Sequence, residues 1–108
     1  MRTLSFIVKE QNLSKNPTSN FDGIVAGTKG YLKASFEFNS TWKGYACIAV
    51  FRSIVENYPM PLINGECVIP HEVLNRKKFY VKIIGKNING DILTTNEIEI
   101  NQKVGGIK

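Results

Sequence analysis

A chain of 108 residues is long enough for one hydrophobic core and too short for two independent domains. Its hydrophobic fraction of 43% and charged fraction of 21% are ordinary for a folded domain, and its aromatic content argues against disorder. The formal net charge of +5 is the difference between 14 basic and 9 acidic residues, and the basic ones are spread along the chain with one tight cluster at residues 76–78. No recognition helix, zinc motif or RNA-binding signature accompanies this charge, so nucleic acid is not the predicted ligand. The charge leaves room for a mild preference for an anionic partner.

Targeting signals are not apparent in the sequence. No apolar run approaches the roughly 18 residues that span a bilayer, so no membrane partner is predicted. The first twelve residues hold too short an apolar core for a secretory signal, and we expect the chain to stay in the compartment where it is made. Cys47 and Cys67 lie in apolar strand-like runs outside any CxxC or Cys/His cluster, which predicts two free buried thiols.

The first quarter of the chain predicts two strands separated by a polar loop. Residues 3–8 are β-branched and aromatic, with apolar side chains on one face. Residues 11–20 are rich in Asn and Ser, which predicts a loop long enough to cross from one sheet to another. A short strand is predicted at residues 21–25, followed by a glycine turn at residues 27–30.

The most regular strand pattern lies at residues 31–38 and 45–52. The first run alternates apolar and polar residues, as in a half-buried strand. The second is apolar on both faces, which predicts a central strand or one whose outer face meets another subunit.

Trp42, the only tryptophan, stands between these two strands. Its place just past a strand favours a cap on one end of the core, with the indole N–H reaching a backbone carbonyl. The alternative is an exposed platform for a sugar or a base, formed by Trp42 and Tyr45.

The second half of the chain predicts hairpins and one helical turn. Two prolines confine residues 58–62 to a sheet edge or a bend. Asn64-Gly65 predicts a hairpin that joins this run to residues 66–69. A helical turn near Pro70–Leu74 is predicted to link the two sheets, because proline is favoured in the first turn of a helix. Residues 78–85 predict a strong strand, and the Asn-Gly pair at residues 89–90 a second hairpin to residues 92–100.

The predicted fold class is all-β. It is an antiparallel β-sandwich, immunoglobulin-like or jelly-roll-like, of about eight strands with one short helical turn near Pro70–Leu74. The predicted domain spans residues 1–102, and residues 103–108 are predicted to form a flexible tail.

Catalytic and metal motifs are missing from the sequence. His71 is the only histidine, and a metal site needs three or four ligands. No nucleophile elbow, Cys/His dyad or phosphate loop is present. We therefore predict no enzyme activity, no cofactor and no metal.

An ordered set of short motifs points to a known domain. The set comprises FEF at 36–38, WKG at 42–44, AVF at 49–51, PLIN at 61–64, CVIPHEVL at 67–74, VKIIG at 81–85 and TTN at 94–96. It covers residues 27–102 and resembles a small β-sandwich of tailed phages and prophages of Gram-positive bacteria. That domain occurs at the N-terminus of baseplate upper proteins, tail or head fibres and other minor structural proteins.

The resemblance implies a non-enzymatic attachment module of a virion that is assembled in the bacterial host cytoplasm. Its partners would be other virion proteins, and it would usually be part of a homo-oligomer. Sheet edges and exposed apolar positions are the expected contacts, with these candidate interface residues: Tyr45, Ile48, Val50, Tyr58 and Met60.

Two alternative functions stay open at this point. One is a host-surface glycan or peptide binding module that uses Trp42 and Tyr45 as its platform. The other is a small phage-encoded inhibitor of a host factor, suggested by the size and basic charge of the chain.

Overall fold

Two β-sheets pack face to face around one core in the computed structural model, which describes residues 1–104. In chain order the strands are β1 (Arg2–Lys9), β2 (Asn12–Lys15), β3 (Leu32–Phe38), β4 (Ala46–Arg52), β5 (Asn57–Pro61), β6 (Glu66–Val68), β7 (Lys78–Lys86), β8 (Ile92–Thr94) and β9 (Ile98–Asn101). The first sheet has the order β2-β1-β3-β6. The second has the order β5-β4-β7, and both β8 and β9 pair with the other side of β7. The predicted all-β sandwich is confirmed.

One strand pair departs from the predicted antiparallel arrangement. β1 and β3 are parallel, with Arg2 opposite Leu32 and Val8 opposite Phe38. The β1–β2 hairpin returns the chain to the end where β1 begins, and residues 16–31 pass around that end before β3 starts. A parallel neighbour follows from this path, because β3 enters the sheet beside the beginning of β1.

Two predictions for residues 11–25 are wrong. Part of the predicted loop is β2, which pairs with β1 instead of leading to the other sheet. The strand predicted at residues 21–25 is absent apart from one bridge, between Val25 and Lys103. The apolar residues there anchor a loop: the ring of Phe21 lies 5.3 Å from that of Phe6, and Ile24 is buried.

The core follows the alternation that the sequence shows. Most inward residues of β1, β3 and β7 are buried, and Phe38 at the end of β3 is partly buried. The buried ones include Leu4, Phe6, Val8, Leu32, Ala34, Phe36, Phe79, Val81 and Ile83. Each fully buried Leu, Ile or Phe side chain contributes roughly 1.5–3 kcal/mol relative to an exposed one. This burial fixes the register of the strands, because a slip of one residue would turn every core side chain outward.

The Asn64-Gly65 turn forms, but it does not join two strands of one sheet. Asn64 and Gly65 have φ angles of 54° and 75°, as a type I′ turn requires. Only Ile63 and Glu66 pair across it, because β5 belongs to the second sheet and β6 to the first. A Cβ atom on Gly65 would lie 2.9 Å from the carbonyl oxygen of Phe36, so glycine is needed for this close approach as well.

The predicted helical turn between the sheets is confirmed. A 3-10 turn at His71–Val73 connects β6 in the first sheet to β7 in the second. A second 3-10 turn, at Ser40–Trp42, follows β3.

The folded domain extends one residue beyond the predicted boundary at 102. The Lys103 N–H donates to the carbonyl of Ile24 at 2.7 Å, and its carbonyl accepts from Ala26 at 2.8 Å. Lys103 is therefore part of the domain and not of the predicted tail. Residues 105–108 of that tail lie outside the described residues.

One side chain joins the two sheets along their β2 and β8–β9 edges. Asn96 lies between β8 and β9, and its side-chain oxygen accepts from the Leu13 N–H at 2.6 Å. Its amide nitrogen donates to the Leu13 carbonyl at 3.2 Å, so the side chain pairs with β2 as a further strand would. Gln11 adds a hydrogen bond to the Thr94 carbonyl at 3.0 Å.

We expect Asn96→Ala to lower the free energy of unfolding by about 1–2 kcal/mol, because it removes two hydrogen bonds and leaves Leu13 without its partners. Urea denaturation followed by circular dichroism measures this change. Asn12→Ala is the matched control, since Asn12 is exposed on the same strand and its change should stay within about 0.5 kcal/mol. Equal losses in both variants would contradict a linking role for Asn96.

Candidate functional site

A metal site requires three or four ligand side chains close together. No group of three or more His, Cys, Asp or Glu side chains among residues 1–104 could hold a metal ion. His71 Nε2 lies 3.5 Å from Glu72 Oε2, and the two side chains are 44% and 46% exposed. Within the same range, no helix has the length and apolar character needed to cross a membrane.

A groove of about 650 Å³ opens at one end of the sandwich, next to Trp42. We call it the Trp42 groove. It lies between the corner that follows β3 and the turn that follows β5, with these residues among its lining: Phe38, Trp42, Lys43, Tyr45, Cys47 and Leu62.

Trp42 closes the core at this end. The side chain is only 3% exposed, and its Nε1–H donates to the Glu10 carbonyl at 2.8 Å. Its ring centroid lies 5.4 Å from that of Phe38 and 5.8 Å from that of Tyr45. The predicted cap is confirmed, including the hydrogen bond to a backbone carbonyl.

The alternative of a ligand platform at Trp42 and Tyr45 needs correction. A stacking platform requires an open ring face, and the indole of Trp42 has none. Tyr45 is half-buried, and its ring meets that of Trp42 edge to face, so the two rings support each other at the border of the core cluster.

Glu10 holds this cap to the β1–β2 turn. Its backbone φ of 55° turns the chain, and its carboxylate accepts from Asn39 Nδ2 at 3.0 Å and Thr41 Oγ1 at 2.9 Å. Local sequence patterns could not indicate this network, because its members are separated by about thirty positions along the chain.

Gly85 on β7 makes room for the indole ring. A Cβ atom built there would lie 2.9 Å from Trp42 Cζ3 and 3.2 Å from Cε3. The cap therefore requires glycine at position 85 as well as tryptophan at position 42.

The two cysteines are free, as predicted, and each is partly buried. Burial raises the pKa of the Cys67 thiol from 9.0 to about 12. Burial also raises the pKa of Cys47, which lines the Trp42 groove. Both thiols are therefore poor nucleophiles near neutral pH, since the thiolate is the reactive form.

The five predicted interface residues do not share one surface. Ile48 and Val50 point away from the core, but Met60 is opposite Ala49 and Tyr58 is opposite Phe51, so both face the core. Tyr45 also packs on the core cluster. These three residues therefore lie on the other side of the sheet from Ile48 and Val50, because side chains alternate along a strand and residues directly opposite one another share a face.

The outer face of the second sheet carries a contiguous apolar area. Ile48 is flanked by Pro61 on β5 and Ile84 on β7, and Val50 is flanked by Pro59. We call these five residues the apolar face. Ile48 and Ile84 are partly exposed, the two prolines are exposed, and Val50 is buried at 8% exposure, although it lies outside the core cluster.

The outer face of the first sheet is polar by comparison. Its outward residues on β1 and β3 are Thr3, Ser5, Ile7, Lys9, Lys33, Ser35 and Glu37, of which only Ile7 is apolar. Lysines also lie on the outer face of the second sheet, along β7, so what distinguishes that face is the apolar cluster around Ile48 and Ile84.

Charged side chains border the apolar face. Arg52 donates two hydrogen bonds to Glu97, at 2.9 and 2.8 Å, and its guanidinium lies 4.2 Å from the Tyr80 ring centroid. The Arg52 hydrogen bond holds the pKa of Glu97 below its usual range. Lys82, opposite Val50, lies on the same face.

The β5 edge of the second sheet cannot extend the sheet efficiently. At its two ends, the Leu62 N–H donates to the Cys47 carbonyl and the Ser53 N–H donates to the Glu56 carbonyl. Hydrogen-bonded pairs occur at every second position of an antiparallel ladder, so Met60 and Tyr58 are the β5 residues that bond to β4 between these ends. The backbone hydrogen-bonding positions of residues 59 and 61 therefore point away from β4, towards the free edge. Both are prolines, so neither offers an N–H to an added strand.

Comparison of the chain with protein-family models, with curated proteins and with solved structures finds no match. The resemblance to phage structural domains therefore rests on the sequence motifs alone.

We expect Gly85→Ala to destabilise the protein by about 1–3 kcal/mol, because the added methyl meets the rigid indole ring. Guanidinium denaturation of the variant measures the loss. Trp42→Phe removes the crowded ring atoms, so the double variant should lose less than the sum of the single changes. Strict additivity of the two losses would contradict the contact.

We expect the free energy of unfolding to fall as pH rises from 9.0 towards about 12, in part through Cys67. The native thiol keeps its proton in this window and the unfolded thiol loses it, so the unfolded state binds fewer protons. Urea denaturation from about pH 8 to about pH 11 should show a shallower decline for Cys67→Ala. Leu93→Ala, which removes a non-titrating side chain, should keep the slope of the unmodified protein, and a Cys67→Ala slope equal to it would refute the assignment.

Proposed function

We propose that this protein is a non-catalytic attachment module of a phage virion that packs against a second copy of itself through the apolar face. Other virion proteins are its further partners. The apolar cluster of Ile48, Ile84, Pro59 and Pro61 on the outer face of the second sheet is the single observation that carries the proposal.

The composition of the apolar face supports a protein contact. Ile48, Val50 and Ile84 are adjacent across β4 and β7, with the prolines of β5 beside them. Contiguous apolar areas on a small domain, bordered by charged residues, are typical of protein–protein interfaces.

The sheet edges favour packing through faces over extension of a sheet. β5 lacks two N–H donors, and the β2 and β8–β9 edges are linked by Asn96. β6 is only three residues long. A two-fold contact between equal faces needs no free edge and closes on itself.

The virion context comes from the motif resemblance, together with assembly in the bacterial host cytoplasm. The genes beside the coding sequence test it. Portal, tail or fibre genes on either side would support it, and genes for metabolic enzymes on both sides would contradict it.

We expect light scattering after gel filtration to show a self-associated species that Ile48→Lys with Ile84→Lys converts to a monomer, because two charges are then placed in an apolar contact. Self-association of the unmodified protein should strengthen with salt, since copies of net charge +5 repel.

Ile7→Lys with Ser35→Lys is the matched control on the outer face of the first sheet, and it should leave the mass unchanged. Thermal denaturation shows that each variant folds. An unmodified protein that stays monomeric at high salt, or a control pair that dissociates equally, would overturn the proposed contact.

A further inference from the structure

A second groove, of about 570 Å³, lies at the other end of the second sheet from the Trp42 groove. The ends of β4 and β7 define it, because Ile54 follows β4 and residues 75–78 lead into β7. We call it the basic groove, and the lining residues that matter here are Ile54, Arg76, Lys77, Lys78, Tyr80 and Val104.

Two of its cations have no acidic partner in the part of the chain that the structure describes. Lys78 Nζ lies 3.5 Å from Glu99, whereas Arg76 and Lys77 form no ion pair within residues 1–104. Both side chains are exposed, so their charges are available to a ligand.

The backbone beneath these cations is held in place. Gln102 is only 8% exposed, and its Nε2 donates to the Arg76 carbonyl at 2.8 Å. Its backbone N–H donates to the Lys77 carbonyl at 2.6 Å. The backbone carbonyls of Arg76 and Lys77 are therefore hydrogen-bonded to a buried residue. This backbone segment loses less conformational entropy when a ligand binds than a mobile loop would.

Aliphatic side chains stand beside the charges. Ile54 is 68% exposed and Val104 is 61% exposed, and both line the groove. Val55, next to Ile54, is 75% exposed. A ligand that fits this surface needs both negative charge and an apolar group.

We propose that the basic groove binds an acidic peptide segment that carries an aliphatic anchor residue. The carboxylates pair with Arg76 and Lys77, and the anchor packs between Ile54 and Val104. Charge complementarity selects the acidic residues, and the concave shape accommodates an extended chain. This site is distinct from the apolar face, and its binding does not depend on self-association.

A nucleic acid fits the groove less well. Stacking of bases requires open aromatic faces, and Tyr80 already has Arg52 on its ring at 4.2 Å. Arg52 is itself fixed by Glu97, at 2.8 Å. An anionic membrane surface also fits less well, because clusters of about four to eight cations are typical of lipid recognition.

The test is fluorescence anisotropy with a labelled synthetic peptide of sequence EDLEDLE and the full chain. We expect saturable binding in the micromolar range, and a loss of about tenfold or more in affinity for Arg76→Glu with Lys77→Glu, which reverses both unpaired charges. Lys9→Glu with Lys43→Glu changes the net charge equally at the other end of the domain and should leave affinity unchanged. If the charge-reversed pair fails to fold, Arg76→Gln with Lys77→Gln replaces it.

Four outcomes would overturn the proposal. They are equal weakening by the Lys9 and Lys43 control, equal binding of the peptide EDSEDSE, absence of saturable binding, and tighter binding of oligo-dT or of phosphatidylserine vesicles through Arg76 and Lys77. Ile48→Lys with Ile84→Lys should bind EDLEDLE normally, so failure of self-association and failure of peptide binding are told apart.

Discussion

The packing of the second sheet depends on β4, because this strand is paired on both sides and apolar on both faces. β5 and β7 lie on its two sides, so its backbone N–H and C=O groups are hydrogen-bonded. Because side chains alternate along a strand, the two faces of β4 differ only in the side chains that they carry. Ala49 and Phe51 build the core, whereas Ile48, on the opposite face, contributes to the apolar surface and Val50 is buried beneath it. One strand thus supplies both stability and a contact area, and substitutions on its two faces should have separable effects.

Local sequence patterns predicted the elements well and their partners less well. The runs at residues 3–8, 31–38 and 78–85 each became a strand with the predicted inward face, since alternation and β-branched residues act within one segment. The Asn-Gly turn at residues 64–65 was predictable for the same reason. Its assignment to two different sheets, and the parallel pairing of β3 with β1, depend on contacts that no single segment encodes.

The candidate sites divide in the same way. The cap formed by Trp42 followed from its place after a strand, but its supports at Glu10 and Gly85 are distant in sequence. The interface residues were predicted from exposure and edge position. That Ile48 and Met60 lie on opposite faces of the sheet follows only from the register of β4 and β5. The basic groove combines three separate segments of the chain, so composition alone could indicate its charge and not its shape.

The prolines of β5 have a consequence for the protein at high local concentration. Growth of a cross-β fibre requires an edge that offers alternating donors and acceptors to each arriving strand. At residues 59 and 61 the outward positions offer acceptors only, so an arriving strand would find its own carbonyls unpaired there. Crowding many copies into a small volume therefore favours closed, countable assemblies over open-ended polymerisation through this edge.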